Sequence, residues 1–332
     1  MLPNTIIPGA QKSGTSSVYY YLREHPECLM SVPKEPSFFC NSKLVHDIKS
    51  YERCFRAVEG HTSPPKIIGE ATTAYMVDAN APGRIRAILG PNVRFIFILR
   101  NPVDRAISAY WHAFKLGDDL RPLDEVFCSD TEEEKEALRL ERKLLKDAYS
   151  NGKIKVHRYV RRYDDPFWIF RYVSNSIYLK YLRRYLEYFS PDNFFFVITE
   201  ELAERPKEVF EALAEFLRID SALVPDNLGR VYNKTFVPRA EWWARLLQAL
   251  NKYRSFQKIQ LWFPMAGKAY RWAALTEKPE VDGEVKYRIA KVLSKGLADL
   301  SEFVGKDLMS LWRISEESKP NNNKNDFKAS TG

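Results

Sequence analysis

The feature that most constrains the fold of this chain is a glycine-containing loop directly after its first apolar segment. The letters IIPGAQKSGTSS, at residues 6–17, read as a short strand, a tight turn and the start of a helix. Gly9 and Gly14 allow close approach of the backbone, and N–H groups at a helix N-terminus attract anions. Lys12 adds a full positive charge. The segment therefore predicts a strand–loop–helix unit that cradles a phosphate-like anion.

The two glycines have the spacing of the P-loop of nucleotide triphosphatases, G-x-x-x-x-G-K-[ST], but the lysine is displaced. Thr15 follows Gly14 where that motif has lysine, and Lys12 lies inside the loop. A lysine at this position would meet a differently placed charge than the β- and γ-phosphates of a triphosphate. Taken alone, the loop is also compatible with a kinase or NTPase, or with a plain Gly/Ser turn.

Apolar runs alternate with helical segments along the chain, which is typical of a parallel sheet covered by helices. Strands are predicted at Thr5–Pro8, Lys66–Gly69, Val93–Leu99 and Asn193–Ile198, and helices at Ser16–His25, Asp104–Leu116 and Pro206–Leu217. The predicted fold class is α/β, a P-loop-like three-layer fold with a central parallel β-sheet flanked by helices. Lys12 and Arg100 each follow a strand, so we expect them to converge on one ligand beyond the carboxyl edge of the sheet.

Three motifs occur along the chain in the order KSGTSS at 12–17, KEPSFF at 34–39 and FIFILRNPVDRAISAY at 95–110. Together they resemble the sulfotransferases that use 3′-phosphoadenosine 5′-phosphosulfate (PAPS), in particular the glycan-modifying branch typified by heparan sulfate sulfotransferases. The resemblance extends from Thr5 to Trp312. It implies a single sulfotransferase domain over residues 1–316.

The resemblance implies a set of residues that bind PAPS, whose product is adenosine 3′,5′-bisphosphate. Lys12 would hold the 5′-phosphosulfate, and Arg100 with Ser108 would bind the 3′-phosphate. Further contacts to the 5′ side are implied for Ser13, Gly14, Thr15, Ser16 and Ser17. Read without the family, Arg100 is also compatible with a surface ion pair to Asp104 or Glu70.

A late segment, residues 231–236, resembles the family loop that closes over the 3′-phosphate and adenine. Lys234 is the candidate ligand in this loop, although a plain surface lysine would read the same way.

Glu35 is the candidate catalytic base, because it stands in the segment that resembles the one containing the family's catalytic glutamate. Lys12 is the second candidate catalytic residue, facing the bridging oxygen of the phosphosulfate. Without the resemblance, Glu35 would read equally well as a surface carboxylate paired with Lys34.

Contacts to the acceptor are predicted for Ser37, Glu70, Ser176 and Tyr178. Two of the surrounding positions depart from heparan sulfate 3-O-type enzymes, which have a histidine where Ser37 stands and a lysine where Ala71 stands. The resemblance therefore does not carry heparan sulfate specificity to this chain.

Residues 118–165 interrupt the α/β alternation with many charged side chains and are predicted to form an acceptor lid insertion. The acidic run at 131–136 reads as a solvated helix, whereas the later basic residues, which include Lys153, Lys155 and Arg162, favour an anionic acceptor. The apolar stripe that begins at Trp242 predicts core packing, with contact to a membrane surface as the alternative. Residues 317–332 are predicted to be disordered.

The net charge of +8 favours an anionic partner. No nucleic-acid-binding motif and no metal-ligand spacing is apparent in the sequence, so neither partner is predicted. A membrane-spanning segment or signal peptide is likewise not apparent. These features indicate a cytoplasmic, bacterial-like enzyme, or a soluble catalytic domain trimmed of a Golgi anchor.

The leading hypothesis is transfer of a sulfuryl group from PAPS to a hydroxyl, or an amine, of a carbohydrate or glycolipid acceptor. A small-molecule or natural-product acceptor is the alternative within the same chemistry. A P-loop kinase or NTPase would require ATP and Mg²⁺, and a nucleotide-binding module without activity would bind but not turn over.

Overall fold

A five-stranded parallel sheet forms the centre of the computed structural model, which describes residues 1–56, 64–157, 159–232 and 279–314 and the backbone of 237–238 and 275–276. The strands are β1 (Thr5–Gly9), β2 (Cys28–Met30), β3 (Ile67–Ala71), β4 (Arg94–Leu99) and β5 (Phe194–Ile198). Their order across the sheet is β2-β3-β1-β4-β5. The predicted α/β class is confirmed, and each predicted strand is present with shifts of one or two residues at its ends.

Strand β2 is absent from the sequence prediction. It is three residues long and pairs with β3 from Cys28 opposite Ile67 to Met30 opposite Gly69. A run this short carries too few residues for an alternating or continuous apolar pattern to be recognised. Two further short strands, β6 (Val237–Pro238) and β7 (Leu275–Thr276), pair antiparallel in a separate sheet.

Helices cover both faces of the parallel sheet. They are α1 (Thr15–Glu24), α2 (Ile48–Glu52), α3 (Ala81–Leu89), α4 (Pro102–Lys115), α5 (Leu123–Val126), α6 (Glu134–Ser150), α7 (Tyr178–Leu186), α8 (Thr199–Glu204), α9 (Pro206–Leu217), α10 (Gly283–Leu293), α11 (Leu297–Val304) and α12 (Leu308–Trp312). Side chains of a strand alternate between its two faces. In β4, Phe95 and Phe97 join the apolar cluster that contains α4 and α7, while Ile96 and Ile98 join the one that contains α1 and α9. These two clusters lie between the sheet and the helices on each of its faces. They are the two interfaces of the predicted three-layer fold.

The segment 118–165 contains α5 and α6 and is closed by a single antiparallel bridge between Asp119 and Ile154. Its base is held by a buried ion pair, in which Arg121 donates to both carboxylate oxygens of Asp119 at 3.0 and 2.7 Å. Tyr172 adds a hydrogen bond of 2.8 Å to the same carboxylate. A fully paired buried carboxylate of this kind fixes the start of the segment relative to the sheet.

Helix α12 packs close to the point where β4 leads into α4. The indole N–H of Trp312 donates to Glu200 Oε2 at 3.0 Å, and the carbonyl oxygen of Trp312 accepts from the Asn101 amide at 3.1 Å. The apolar stripe that begins at Trp242 and the tail at 317–332 lie outside the described residues.

Candidate active site

A cleft of about 940 Å³ lies at the carboxyl edge of the parallel sheet, where the segments that follow β1, β4 and β5 meet. Eight of the residues predicted for the site line it: Lys12, Gly14, Thr15, Ser16, Ser17, Glu35, Arg100 and Ser108. Sheets of this type place their ligands at this edge because the carboxyl ends of parallel strands and the N-termini of the following helices lie together there.

The first wall of the cleft is the loop between β1 and α1. Gly14 adopts a φ of +90° immediately before the helix, a conformation that a residue with a Cβ adopts only under strain. Gly9 also resists substitution, since a Cβ there would lie 2.8 Å from Cβ of Met76. Thr15, Ser16 and Ser17 then open α1 toward the cleft. The arrangement provides backbone N–H groups, hydroxyls and the positive end of a helix dipole to an anion.

Arg100 joins the second wall to this loop. Its Nη1 donates to the carbonyl oxygen of Lys12 at 3.3 Å, so the Arg100 side chain contacts the backbone of the loop that carries Lys12. Its Nη2 also lies 3.6 Å from Asp104, the alternative partner considered from the sequence. That contact is long, and the Asp104 side chain is 52% exposed, so the pair contributes little and leaves the guanidinium available to an anion.

The backbone of Arg100 is fixed from behind. The hydroxyl of Tyr178 donates to the Arg100 carbonyl oxygen at 2.9 Å. The next residue, Asn101, caps α4 by accepting from the N–H groups of Val103 at 3.0 Å and Asp104 at 3.4 Å. Ser108 lies farther along α4 and lines the same cleft. Side chains at 100 and 108 therefore line the same cleft, one just before α4 and one within it.

Glu35 lines the same cleft as Arg100 and is surrounded by donors. Its Oε1 is 3.2 Å from Lys34 Nζ and accepts from Thr73 Oγ1 at 3.4 Å. Lys34 Nζ also contacts Thr15 Oγ1 at 3.4 Å, which links Glu35 to the anion-binding loop. Arg162 donates to the Glu35 carbonyl oxygen at 2.8 Å. The carboxylate thus faces the cleft, with 32% of its side chain exposed, next to fixed positive charge.

The two phenylalanines that follow Glu35 turn into the core. Phe38 stacks on Tyr51 with ring centroids 4.2 Å apart, and Phe39 meets Tyr75 edge-on at 5.4 Å. They anchor the loop that carries Glu35 to the apolar cluster beneath it, where both rings are buried.

The sulfotransferase domain family model matches residues 2–236, most of the chain. The chain belongs to the sulfotransferase family. A membrane-associated sulfotransferase from Dictyostelium discoideum is 40% identical over 111 residues, which are 33% of this chain and 22% of that protein. The human heparan sulfate glucosamine 3-O-sulfotransferase 3B1 is 27% identical over 237 residues, 70% of this chain and 50% of that protein.

This sulfotransferase chain therefore spans half or less of the length of these two relatives. Among solved structures, a sulfotransferase from Alicyclobacillus acidocaldarius superposes with a TM-score of 0.59 at 23% identity, covering 94% of this chain and 99% of the other. At this identity the likeness establishes a shared fold.

Several predicted residues of the sulfotransferase site do not reach the cleft. Those that are buried behind its walls are Ser13, Ser37, Glu70, Ser176 and Tyr178. Lys234 lies outside the described residues. In the structure these five side chains therefore support the cleft from behind, and their direct contact with a ligand stays a prediction.

Hydrogen bonds account for the supporting position of two of them. The N–H of Ser13 donates to the carbonyl oxygen of Ala10 at 3.2 Å, and its own carbonyl accepts from Thr199 at 2.7 Å, so its backbone closes the loop. Ser176 Oγ accepts from Arg105 Nε at 2.7 Å, which satisfies a buried guanidinium on α4. Sequence motifs mark a segment as part of a site, but do not separate the residues that face the ligand from those that hold them.

The cleft also contains residues that the sequence analysis did not assign to it. Those with polar or aromatic side chains are Gln11, Tyr21, Lys34, Thr73, His112, Lys115, Tyr159, Tyr163, Trp168, Thr199 and Tyr232. Thr199 directly follows β5, so its position at the carboxyl end of a predicted strand could have indicated that it lines the cleft. Tyr159, Tyr163 and Trp168 come from the end of the 118–165 segment and the turn beyond it, whose path over the cleft no local pattern specifies.

Tyr232 ties the last part of the matched domain to α1. Its N–H donates to Ser17 Oγ at 3.3 Å, and its ring stacks on Tyr20 with centroids 4.5 Å apart. Asn227 holds its hydroxyl at 3.1 Å. The segment just before 233–236 therefore contacts α1, the helix whose N-terminus opens onto the cleft.

Within the residues described, no group of three or more His, Cys, Asp or Glu side chains is arranged to hold a metal ion. Over the same residues, no helix combines the length and the apolar character needed to cross a bilayer.

Proposed function

We propose that this chain transfers the sulfuryl group of PAPS to a hydroxyl, or an amine, of a carbohydrate or glycolipid acceptor. The observation that carries the proposal is that Lys12, Arg100 and Glu35 line one cleft, with the Arg100 guanidinium bonded to the backbone of the loop that carries Lys12. Family membership gives the class of chemistry, and this geometry supports the roles proposed for the side chains.

The donor set fits a nucleotide with two separated anionic groups. The α1 N-terminus and Lys12 would receive the 5′-phosphosulfate, where lone N–H and hydroxyl donors bind an anion without a metal. Arg100 and Ser108 would receive the 3′-phosphate, because a guanidinium offers paired, planar donors to phosphate oxygens. The missing lysine after Gly14 weakens the kinase alternative, since that lysine neutralises the terminal phosphates of ATP.

Glu35 would act as the general base. The new bond forms between the acceptor oxygen and sulfur, while the bond between sulfur and the bridging phosphate oxygen breaks. Glu35 takes the proton of the acceptor hydroxyl, and Lys12 stabilises the charge that develops on the leaving phosphate. Proton removal and charge stabilisation thus occur on opposite sides of the transferring group, as an in-line displacement requires.

The acceptor side of the cleft is aromatic and basic. Tyr163 and Trp168 pack edge-on, with centroids 5.4 Å apart, and Arg162 lies beside them. Aromatic faces suit the apolar faces of sugar rings, and cations suit acidic substituents. A heparan sulfate relative adds support for a glycan, but Ser37 and Ala71 replace a histidine and a lysine of the 3-O-type site. Small-molecule acceptors remain the alternative.

The test is calorimetric binding of adenosine 3′,5′-bisphosphate and, separately, ATP with Mg²⁺, to wild type and Arg100→Ala. We expect the bisphosphate to bind more tightly than ATP and to lose about 10- to 100-fold in affinity in the variant, since a charged hydrogen bond contributes about 1.5–3 kcal/mol. Arg183→Ala is the matched control, because that arginine is 65% exposed and pairs only loosely with Asp299.

Preference for ATP, or equal affinities in wild type and Arg100→Ala, would contradict the assignment. Once bisphosphate binding is established, transfer of labelled sulfate from PAPS to a panel of heparosan, chondroitin, galactolipid and phenolic acceptors separates the carbohydrate proposal from the small-molecule one. Binding without transfer to any of them would favour an inactive module.

A further inference from the structure

A buried carboxyl group lies behind the loop that carries Glu35. Glu70, on β3, is 0% exposed, and three hydroxyl groups donate to it. Tyr51 and Tyr75 donate to Oε1, the latter at 3.0 Å, and Thr72 donates to Oε2 at 2.7 Å. In its ionised form, a buried carboxylate with this many donors is a fixed acceptor, because it has no proton of its own to give.

Two of the three hydroxyls also hold the loop. Thr72 Oγ1 accepts from the N–H of Ser37 at 3.3 Å, and the hydroxyl of Tyr75 accepts from the N–H of Phe39 at 3.3 Å. Each hydroxyl has one proton. Since that proton goes to Glu70, the lone pairs of the oxygen are turned toward the loop amides. The orientation of both hydroxyl lone pairs toward the loop amides therefore depends on the carboxylate.

The loop requires such support at Ser37. This residue has a φ of +59°, the left-handed region that non-glycine residues rarely adopt. Its hydroxyl lies 3.2 Å from Arg162 Nη2, the same nitrogen that donates to the Glu35 carbonyl. The conformation at Ser37 is thus coupled to the backbone of Glu35, two residues earlier.

We propose that Glu70 is a positioning residue for Glu35. Through Thr72 and Tyr75 it sets the conformation of residues 35–39, and with it the direction in which the Glu35 carboxylate enters the cleft. Glu70 makes no contact with the cleft itself and exchanges no proton with the acceptor. The inference rests on the proposed role of Glu35 as the base.

Hydrogen exchange tests the link without reference to activity. The full chain and its Glu70→Gln variant are compared at pH 8 on peptides that cover residues 34–40. We expect the amides of Ser37 and Phe39 to exchange at least about tenfold faster in the variant, while α9 keeps its protection. Tyr110→Phe is the matched control, because it removes a buried phenol that donates to the Arg121 carbonyl at 2.9 Å, away from this loop.

Two single-link variants keep the test decisive if Glu70→Gln does not fold. Thr72→Val should expose the amide of Ser37 and leave that of Phe39 protected, and Tyr75→Phe should do the reverse. A folded Glu70→Gln, or both single-link variants, with wild-type exchange at residues 34–40 would overturn the proposal.

Kinetics separate positioning from a general loss of structure. With labelled PAPS and an N-sulfated heparosan oligosaccharide as probe, we expect Glu70→Gln to lose at least tenfold in kcat while KM for PAPS and the affinity for adenosine 3′,5′-bisphosphate stay within twofold. An unchanged kcat would refute the positioning role. If the wild type transfers sulfate to no acceptor, the proposed function fails, and the exchange experiment still decides whether Glu70 holds the loop.

Discussion

The ammonium group of Lys34 lies 3.2 Å from Oε1 of Glu35. The same nitrogen reaches Thr15 in the anion loop at 3.4 Å, and only 19% of the lysine side chain is exposed. A positive charge is therefore held between the proposed base and the site proposed for the phosphosulfate. At the position where 3-O-type enzymes have a lysine, this chain has Ala71. Lys34 supplies a positive charge to the cleft from the segment that follows β2, whereas Ala71 is the last residue of β3.

Removing this charge should slow the reaction more than it weakens binding. We expect Lys34→Met to lower kcat about 10²-fold, because preorganised charge next to a transferring group acts mainly on the transition state. Steady-state transfer of labelled sulfate gives kcat and KM. Lys43→Met, an exposed lysine in the same region, should behave as wild type. An equal loss in both variants would contradict a specific role for Lys34.

The hydroxyl of Tyr178 should contribute to nucleotide binding without touching the nucleotide. In Tyr178→Phe the Arg100 carbonyl loses its donor, and the arginine becomes less well placed for the 3′-phosphate. The loss of one neutral hydrogen bond, about 0.5–1.5 kcal/mol, predicts up to about tenfold weaker bisphosphate binding by calorimetry. Tyr181→Phe is the control and should bind the bisphosphate normally. Tyr181 lies on the same helix as Tyr178, and its hydroxyl donates to the Ser174 carbonyl oxygen. Identical affinities in all three proteins would remove this support for the Arg100 site.

Glu70 should make the stability of the protein depend on pH. Burial raises the pKa of its carboxyl group from near 4.5 to about 7, against the opposing effect of its three hydrogen bonds. Between these values the folded state binds more protons than the unfolded state. The free energy of unfolding should therefore fall as pH rises from 4.5 to 7, by about 3 kcal/mol at most. Urea unfolding at pH 5 and pH 8 should show this loss in wild type and not in Glu70→Gln. A wild-type loss that persists unchanged in the variant would mean that other groups cause it.

Removing one partner of the buried ion pair at the base of the 118–165 segment should lower the free energy of unfolding far more than removing one partner of an exposed pair. Asp119→Ala leaves the Arg121 guanidinium buried without its partner, and we expect a loss of about 3–5 kcal/mol in thermal or urea unfolding. The double variant Asp119→Ala/Arg121→Met should regain much of it, since no charge is then left unpaired. Asp299→Ala removes the exposed partner of Arg183 and should cost less than about 1 kcal/mol. Similar losses at the two pairs would contradict this view of the segment.

The parallel sheet was predictable because its strands are strongly apolar and lie between helical segments. The run Val93–Leu99 has no polar residue after Arg94, as a strand covered on both faces requires. The anion loop was equally predictable, since glycine spacing and a lysine fix its geometry locally. In both cases the signal lies within about ten consecutive residues.

The support of the site was not predictable, because it depends on partners far apart in the chain. Glu70 lies in a strand, and the sequence predicted that it contacts the acceptor. Its burial is possible only because Tyr51 and Tyr75 bring hydroxyls to it from other segments. Arg162 contacts the Glu35 backbone from 127 residues away. No local pattern contains such pairs.

The order of the sheet has a consequence for the chain during its synthesis. Strand β1, which leads into the anion loop, pairs with β3 and β4, and β4 pairs with β5. At translation rates of roughly 5–20 residues per second, about 10 to 40 seconds separate β1 from β5. During that interval Ile6 and Ile7 leave the ribosome before either of their neighbouring strands. The segment proposed to bind the nucleotide is thus made before the strands that complete its sheet, and its apolar residues stay unpaired until those strands emerge.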